Sequence, residues 1–397
     1  MAYTIIKNDV VIENGCIVKY LGIEKNIVIP EYIDGQLVKS IGDYAFACNQ
    51  LKNVVISNSV TVIGDCAFRY NKLTNVVISN SVTVIGDSAF YSNKLKNVVI
   101  PDSVTVIGDC AFACNQLKNV VIPDSVTVIG DHAIAGNQLT SAVISDSVAE
   151  IGDCAFYSNK LTNAVIPNSV TEIGDCAFER NLLTSVVISN SVAEVGAYAF
   201  SDNELKNVLI PDSVKKIGAY AFYDNKLTNA VIPDSVTDIG ARAFDHNEDL
   251  KNIKWRDISY PVRYLDGYLS VIDKTYPING ITMHKCRYFG GSFDKHYIAE
   301  KGDYVAHGNT SRDAINDLNF KILSENFEID EVVNLIKQTG RINKNQYRLL
   351  TGACSMGVDK FIKQNEKFIK NDQMKLDDMI KMTENHYGHS RIVELFK

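Results

Sequence analysis

One phrase of 22 residues recurs along this chain without a slip. The stretch from Ile107 to Val128 reads IGDCAFACNQLKNVVIPDSVTV, and units opening on the same pair start at Ile41 and every 22 residues thereafter to Ile239, with Val195 standing in for isoleucine once. Ten starts in strict register leave no insertion between them. A period of roughly 20–50 residues is the mark of a solenoid, propeller or array, in which each unit buries its apolar face only against its neighbours.

Comparing units separates fixed places from free ones. Nearly constant are the Ile-Gly start, alanine and phenylalanine at the fifth and sixth places, asparagine at the ninth, leucine at the eleventh, and the strand-like LxxVVI with a following Ser-Val. The alanine column runs from Ala45 to Ala243, and the phenylalanine column beginning at Phe46 is interrupted at Ile134. Such small and large layers stacked along an axis satisfy close packing. Leu117 to Ile122 reads as a strand whose equivalents pair in parallel at about 4.8 Å. Pro101, Pro123, Pro167, Pro211 and Pro233 follow that strand in their units and end its ladder for want of an N–H. Gly108 is expected to permit a tight bend into an Ala-Phe segment forming a single helical turn. The ninth-place asparagines, Asn49 to Asn247, are expected at an inward turn, satisfying backbone groups of their own and the next unit.

The phrase resembles the BspA-type, Treponema pallidum-type leucine-rich repeat over residues 26 to 254. The resemblance implies a right-handed leucine-rich-repeat solenoid with a parallel sheet on its concave side, acting in protein binding. Many members of that family are bacterial surface adhesins. These units are one residue shorter than the usual 23 and carry asparagine where the family often has cysteine. By the logic of this repeat class, leucine, the first valine and isoleucine of LKNVVI point inward. The concave side then shows an asparagine or serine beside a stripe that includes Val99, Val121, Val143 and Val165. The fourth, seventh and eighth places vary between otherwise near-identical units, as a recognition edge would, and tyrosine suits that task. Tyr44, Arg69, Tyr91, Tyr157, Tyr198, Tyr220 and Tyr223 are its candidates, against neutral drift at exposed places.

Charge and cysteine content narrow the class. Through Lys254 there are 19 basic and 28 acidic residues, and beyond it 21 and 19. An acidic array argues against nucleic acid as a partner. The N-terminus shows no basic segment followed by an apolar one, and no apolar run reaches the roughly 18 residues of a membrane helix. Nine scattered cysteines, an odd number, fit reduced thiols in the cytoplasm better than a disulfide framework. Cys154 and Cys176 share the fourth place on adjacent units, so a disulfide between them is geometrically conceivable.

Three segments result. Residues 1–40 read as an N-terminal β cap, a small meander of Tyr3–Ile6, Val10–Ile12 and Cys16–Tyr20 with Asn14-Gly15 as a hairpin turn. Residues 41–254 are the ten repeats. Residues 255–397 form an α+β domain, with Trp255 as the lid of the last rung. Strands are expected at 262–272, 280–288, 296–300 and 304–307. Asp266-Gly267, Asn279-Gly280, Gly290-Gly291 and Lys301-Gly302-Asp303 turn between them. Helices follow over 314–323 (capped by Thr310 or Ser311), 331–337, 346–368, 376–383 and 391–396.

Three constellations in this last segment bear chemistry. His284-x-Cys286 with His386-x-x-His389 supplies ligand types for zinc without diagnostic spacing. Cys354 near a helix, with His307, makes a Cys-His pair only if the fold joins them. The turn from Tyr304 to Thr310 precedes a helix N-terminus, where an anion would bind. Turn histidines, a helix-packing cysteine and a plain strand-to-helix connection are the ordinary readings of all three, so no cofactor, metal or catalytic residue is assigned. The expectation is a non-enzymatic scaffold that recognises a protein through its repeats, while the last segment caps the array, docks a second partner or forms a homo-oligomer. The rival expectations are an enzyme or metal-binding effector whose last segment acts on targets the repeats select, and a surface adhesin.

Overall fold

In the computed structural model the described residues are 2–256, 258–265, 268–290, 295–324, 329–351, 358, 361, 363, 373–383 and 389–396. They form two compact units, Met1–Tyr264 with Phe289–Ser292, and Leu265–Tyr288 with Phe293–Lys397. The first is a parallel-strand β-solenoid.

Its core is the predicted pair of columns. Every alanine of the fifth place and every phenylalanine of the sixth is at most 2% exposed, Ile134 included. The rings stack face to face, with Phe68 and Phe90 at 5.3 Å and Phe178 and Phe200 at 5.6 Å between centroids. Tyr20 opens the stack, 5.2 Å from Phe46, and Phe289 closes it edge-on to Phe244. Trp255 is the lid expected of it, buried, T-shaped to Phe289 and donating Nε1 to the Val236 carbonyl at 3.2 Å.

The asparagine column satisfies backbone as predicted, but in the opposite direction. Asn137 donates Nδ2 to the carbonyls of Ile134 and Phe112, and its Oδ1 accepts from the Leu117 N–H at 3.0 Å. Each asparagine thus binds its own rung to the one before it. The column is at most 7% exposed from Asn71 to Asn247, so its polar groups have no water to fall back on.

The second-place glycine has a different reason from a bend. None of these glycines has positive φ. A Cβ on Gly108 would lie 2.5 Å from Asp87 Oδ1 and 2.8 Å from the backbone of the preceding rung, so glycine is there to let two rungs approach. Asp87 Oδ1 in turn accepts the Asp109 N–H at 2.8 Å, one bond of an aspartate ladder from Asp43 to Asp175. That third-place column escaped the sequence reading.

The Ala-Phe segment is not a helical turn. It is two consecutive turns, Ala111 N–H to Gly108 O and Ala113 N–H to Cys110 O. The fourth and eighth places of all ten rungs, Cys110 and Cys114 in this one, have φ between 49° and 64°. The alternation turns the N–H groups of Cys110, Phe112 and Cys114 toward the Asp131, Ala133 and Ala135 carbonyls of the next rung. These inter-rung bonds help offset a left-handed cost of roughly 1–2 kcal/mol per non-glycine residue.

Two ladders run along the solenoid, and the continuous one is the shorter. Two-residue strands such as Val106–Ile107 and Val128–Ile129 continue through ten rungs, from the N-terminal hairpin to Asp238–Ile239. The LxxVVI ladder, expected to be unbroken, is in pieces: Asn53–Ile56 with Asn75–Val77, Asn119–Val121 with Ser141–Val143, Asn163–Val165 with Ser185–Val187, and Asn229–Ile232 with Asn252–Trp255. Within the repeats every paired step leads into a strand followed by serine or, at Arg256, arginine; only the cap's Tyr3–Thr4 pairs ahead of a proline, Pro30. Steps leading into Pro101, Pro123, Pro167 and Pro211 form no ladder pair, and the step into Pro233 keeps one isolated bridge. Proline withholds the N–H that parallel register aims at the preceding rung. It therefore opens the step before its strand.

The N-terminal cap departs from a meander. Val10–Glu13 and Cys16–Tyr20 form the hairpin over Asn14-Gly15, both with positive φ, and the second strand pairs in parallel with Ser40–Ile41. Tyr3–Thr4 instead pairs in parallel with Asn26–Ile29 and starts the other ladder.

In the second unit Tyr268–Ile278, Ile281–Tyr288, Lys295–Lys301 and Tyr304–Gly308 make an antiparallel meander. The single strand expected over 262–272 is two separate ones, Ile258–Leu265 and Tyr268–Ile278. Asp266-Gly267 and Gly291 lie outside the described residues. The helix Ser311–Ser324 lays Ala314 and Leu318 on Met283, Ala299 and Ala306. Ile329–Thr339, Lys344–Thr351, Leu376–Met382 and His389–Phe396 enclose a second core around Ile336, Leu350 and Ile392, with a short pair of strands, Arg341–Asn343 and Gln373–Lys375, that the sequence did not suggest. The predicted helix 346–368 lies largely outside the described residues.

Two substitutions test this account by urea unfolding. Asn137→Ala strands the Leu117 N–H, while the Phe112 and Ile134 carbonyls keep Asn115 and Asn159 as donors, and is expected to destabilise by roughly 1–3 kcal/mol. Ser88→Gly, at φ 54°, is expected to be neutral or stabilising by up to about 1 kcal/mol.

Candidate functional site

The valine stripe lies where the sequence placed it. Leu117, Val120 and Ile122 point inward and are at most 3% exposed, while Val121 is 61% exposed. Val77, Val143, Val165, Val187 and Val231 are all about half exposed, so the stripe continues rung after rung. Asparagine or serine precedes each valine by two places and shares its face.

The prolines modulate this face. Proline-ended rungs are adjacent in two places, at Pro101 and Pro123 and at Pro211 and Pro233. The first rung of each pair carries the two most exposed residues of the stripe, Val99 at 81% and Leu209 at 79%. A groove accompanies each pair. One, of about 530 Å³, is floored by Val99, Ile100, Val121 and Ile122 with Asp102 and Asp124 in its lining. The other, of about 410 Å³, is lined by Val231, Ile232, Asp212, Asp234 and Lys254. Consecutive prolines were visible in the sequence, but their effect on the ladder was the missing step.

The variable edge is largely braced against itself. The Arg69 guanidinium lies over both the Tyr70 and Tyr91 rings, at 4.7 and 4.9 Å. Arg180 donates Nη1 to the Tyr157 hydroxyl at 2.7 Å. Tyr198 and Tyr220 stack at 4.7 Å, Tyr220 meets Tyr223 edge-on, and Tyr223 packs on His246. Tyr44 is the most open of the candidates, at 62% exposure. The edge therefore breaks into an N-terminal cluster and a C-terminal one, separated by Ala113, Ala135 and Gly136.

Cys154 and Cys176 are free, half-buried thiols on adjacent rungs. Burial first, then the adjoining Glu179 carboxylate, pushes the Cys176 thiol well above its ordinary range. Cys48 and Cys114 are exposed.

The constellations of the second unit resolve differently. His284 is buried with both ring nitrogens engaged, Nδ1 with Thr275 Oγ1 at 2.9 Å and Nε2 with Glu300 Oε2 at 2.6 Å. His389 bonds Thr383, and His386 lies outside the described residues. Among the described residues no three His, Cys, Asp or Glu side chains converge as metal ligands. Cys354 is also outside them, and His307 is buried on its strand. At the turn before Ser311, the Asp313 carboxylate accepts from the N–H and hydroxyl of Thr310, so the helix N-terminus already holds an anion of its own. No described helix is long and apolar enough to cross a membrane.

The family model for the BspA type leucine rich repeat region matches residues 39–162 and 149–262, more than half of the chain, and the chain belongs to that family. Among solved structures, it is similar to a leucine-rich repeat protein from Bacteroides ovatus, with 27% identity and a TM-score of 0.50, covering 57% of this chain and 62% of that one. It thus spans under two thirds of that protein's length. A leucine rich cell surface protein from Faecalibacterium prausnitzii is 22% identical (61% and 90% covered, TM-score 0.34), and the T. pallidum leucine rich repeat protein is 21% identical (61% and 74%, TM-score 0.23). The search of curated proteins found no match.

Two measurements follow. Pro101→Ser restores an N–H at the first groove and is expected to slow amide exchange of Val98 to Ile100 at least about tenfold, read by mass spectrometry. Under limiting iodoacetamide at pH 8, Cys48 and Cys114 are expected to be alkylated well before Cys176.

Proposed function

We propose that this protein is a non-enzymatic recognition scaffold and that the valine face of its repeats binds a protein partner. The observation that carries the proposal is the run of half-exposed valines and one leucine along successive rungs, a contiguous apolar surface of the kind a soluble monomer seldom leaves uncovered. The repeats hold that surface rigid before any partner arrives, so little ordering entropy is lost on binding. The asparagines beside the valines supply hydrogen bonds that fix orientation. Aromatic and arginine clusters at the variable edge support the same reading, with Tyr44 the residue best placed to reach beyond its own rung. The odd number of cysteines supports placing the protein in the reducing environment of the cytoplasm.

The test is a pair of surface substitutions. Val121→Glu with Val165→Glu is expected to leave the unfolding free energy within about 0.5 kcal/mol of the parent, since both side chains face solvent. The same change should weaken a partner isolated with the intact chain by at least tenfold in a titration. A partner that binds the double variant undiminished places recognition elsewhere.

A further inference from the structure

Resting on that reading of the valine face, we infer that its partner is a basic amphipathic α-helix lying along the solenoid axis, with two bulky apolar anchors about 18 residues apart.

Spacing selects the helix. Paired rungs are held at about 4.8 Å, and the phenylalanines beneath them stack at 5.1–5.6 Å. An α-helix advances about 5.4 Å per turn, so residues at i, i+3 or i+4, and i+7 meet one rung per turn and keep step over several rungs. An extended segment along the axis presents like-facing side chains about 6.8 Å apart and falls out of step after one or two rungs.

The grooves select the anchors. They centre on Val121 and Val231, which are 110 residues and therefore five rungs apart. Five rungs measure about 24–27 Å, and 18 helical residues measure about 27 Å over five turns. Side chains at i and i+18 share a helix face and arrive over the two grooves, whose volumes of about 530 and 410 Å³ leave room for leucine, phenylalanine or tryptophan. Between them Val165 and Val187 offer a flatter track that suits smaller apolar residues.

Charge selects the flanks. Asp102 and Asp124 line the first groove, and Asp212 and Asp234 line the second beside a single Lys254. Each anchor therefore sits next to a pair of carboxylates, which favours lysine or arginine within one turn of it. Such pairs set orientation and association rate more than affinity, so binding should weaken with salt.

The experiment selects from a displayed library of random 24-residue peptides using the full chain, with counter-selection on the Val121→Glu/Val231→Glu variant. Both positions are largely exposed, and an unchanged melting curve confirms that the variant folds. Winners with apolar residues at helical spacing, large ones about 18 apart and basic neighbours are the expected result. They should gain helical circular dichroism on binding, and bind the variant at least tenfold more weakly. Winners lost on the variant but showing period-two alternation, proline-rich sequence or acidic flanks would overturn the helix while leaving the valine face as the interface. Winners indifferent to Val121 and Val231, or none at all, would overturn the helix and the face together.

Discussion

The amide of the ninth-place asparagine is the bond on which the solenoid depends. It sits in a layer with no water, donates to carbonyls of two successive rungs, and accepts the leucine N–H of the earlier one. A rung without it would bury the leucine N–H unsatisfied and take one of the two amide donors from each of two carbonyls, a cost of roughly 1–3 kcal/mol against a marginal net stability. Because the amide reaches backward, each rung completes the one before it. The first and last rungs consequently need covers of another kind, a hairpin at one end and Trp255 with Phe289 at the other.

Stacking at a fixed pitch makes every place in the unit a column, and the columns divide the labour. Glycine at the second place brings rungs together where the short ladder runs. The left-handed fourth and eighth places turn the backbone so that its N–H groups bond the next rung, whatever side chain they carry. This explains how cysteine, tyrosine, serine, histidine and arginine alternate there: the neighbouring rung supplies the bonds, and the side chain is free. Variation at those places reflects that freedom as much as recognition.

The valine face is a compromise between two demands. Strand pairing needs an N–H at the seventeenth place, and a smooth ladder would be flat. Proline removes that N–H in five units, and where two such units are adjacent the face opens into a groove. A sequence of nearly identical units therefore encodes a surface that is not uniform, through a residue that lies beside the valines.

Much of this was legible in the period alone. The strict 22-residue register, the alanine, phenylalanine and asparagine columns and the inward alternation of LKNVVI follow from packing identical units, so repetition determined the solenoid, its core and which valines face solvent. Sequence could not decide how adjacent rungs touch. The direction of the asparagine bonds, the closeness that requires glycine, the aspartate ladder, the left-handed places and the broken ladder all arise between residues 20 to 25 apart, from atoms brought within hydrogen-bonding reach only after the rungs stack. In the second unit no period exists to lean on. There only the tertiary structure could show that His284 is tied to Thr275 and Glu300, and that Asp313 fills its own helix N-terminus, because these contacts join strands and turns whose register a single sequence does not fix.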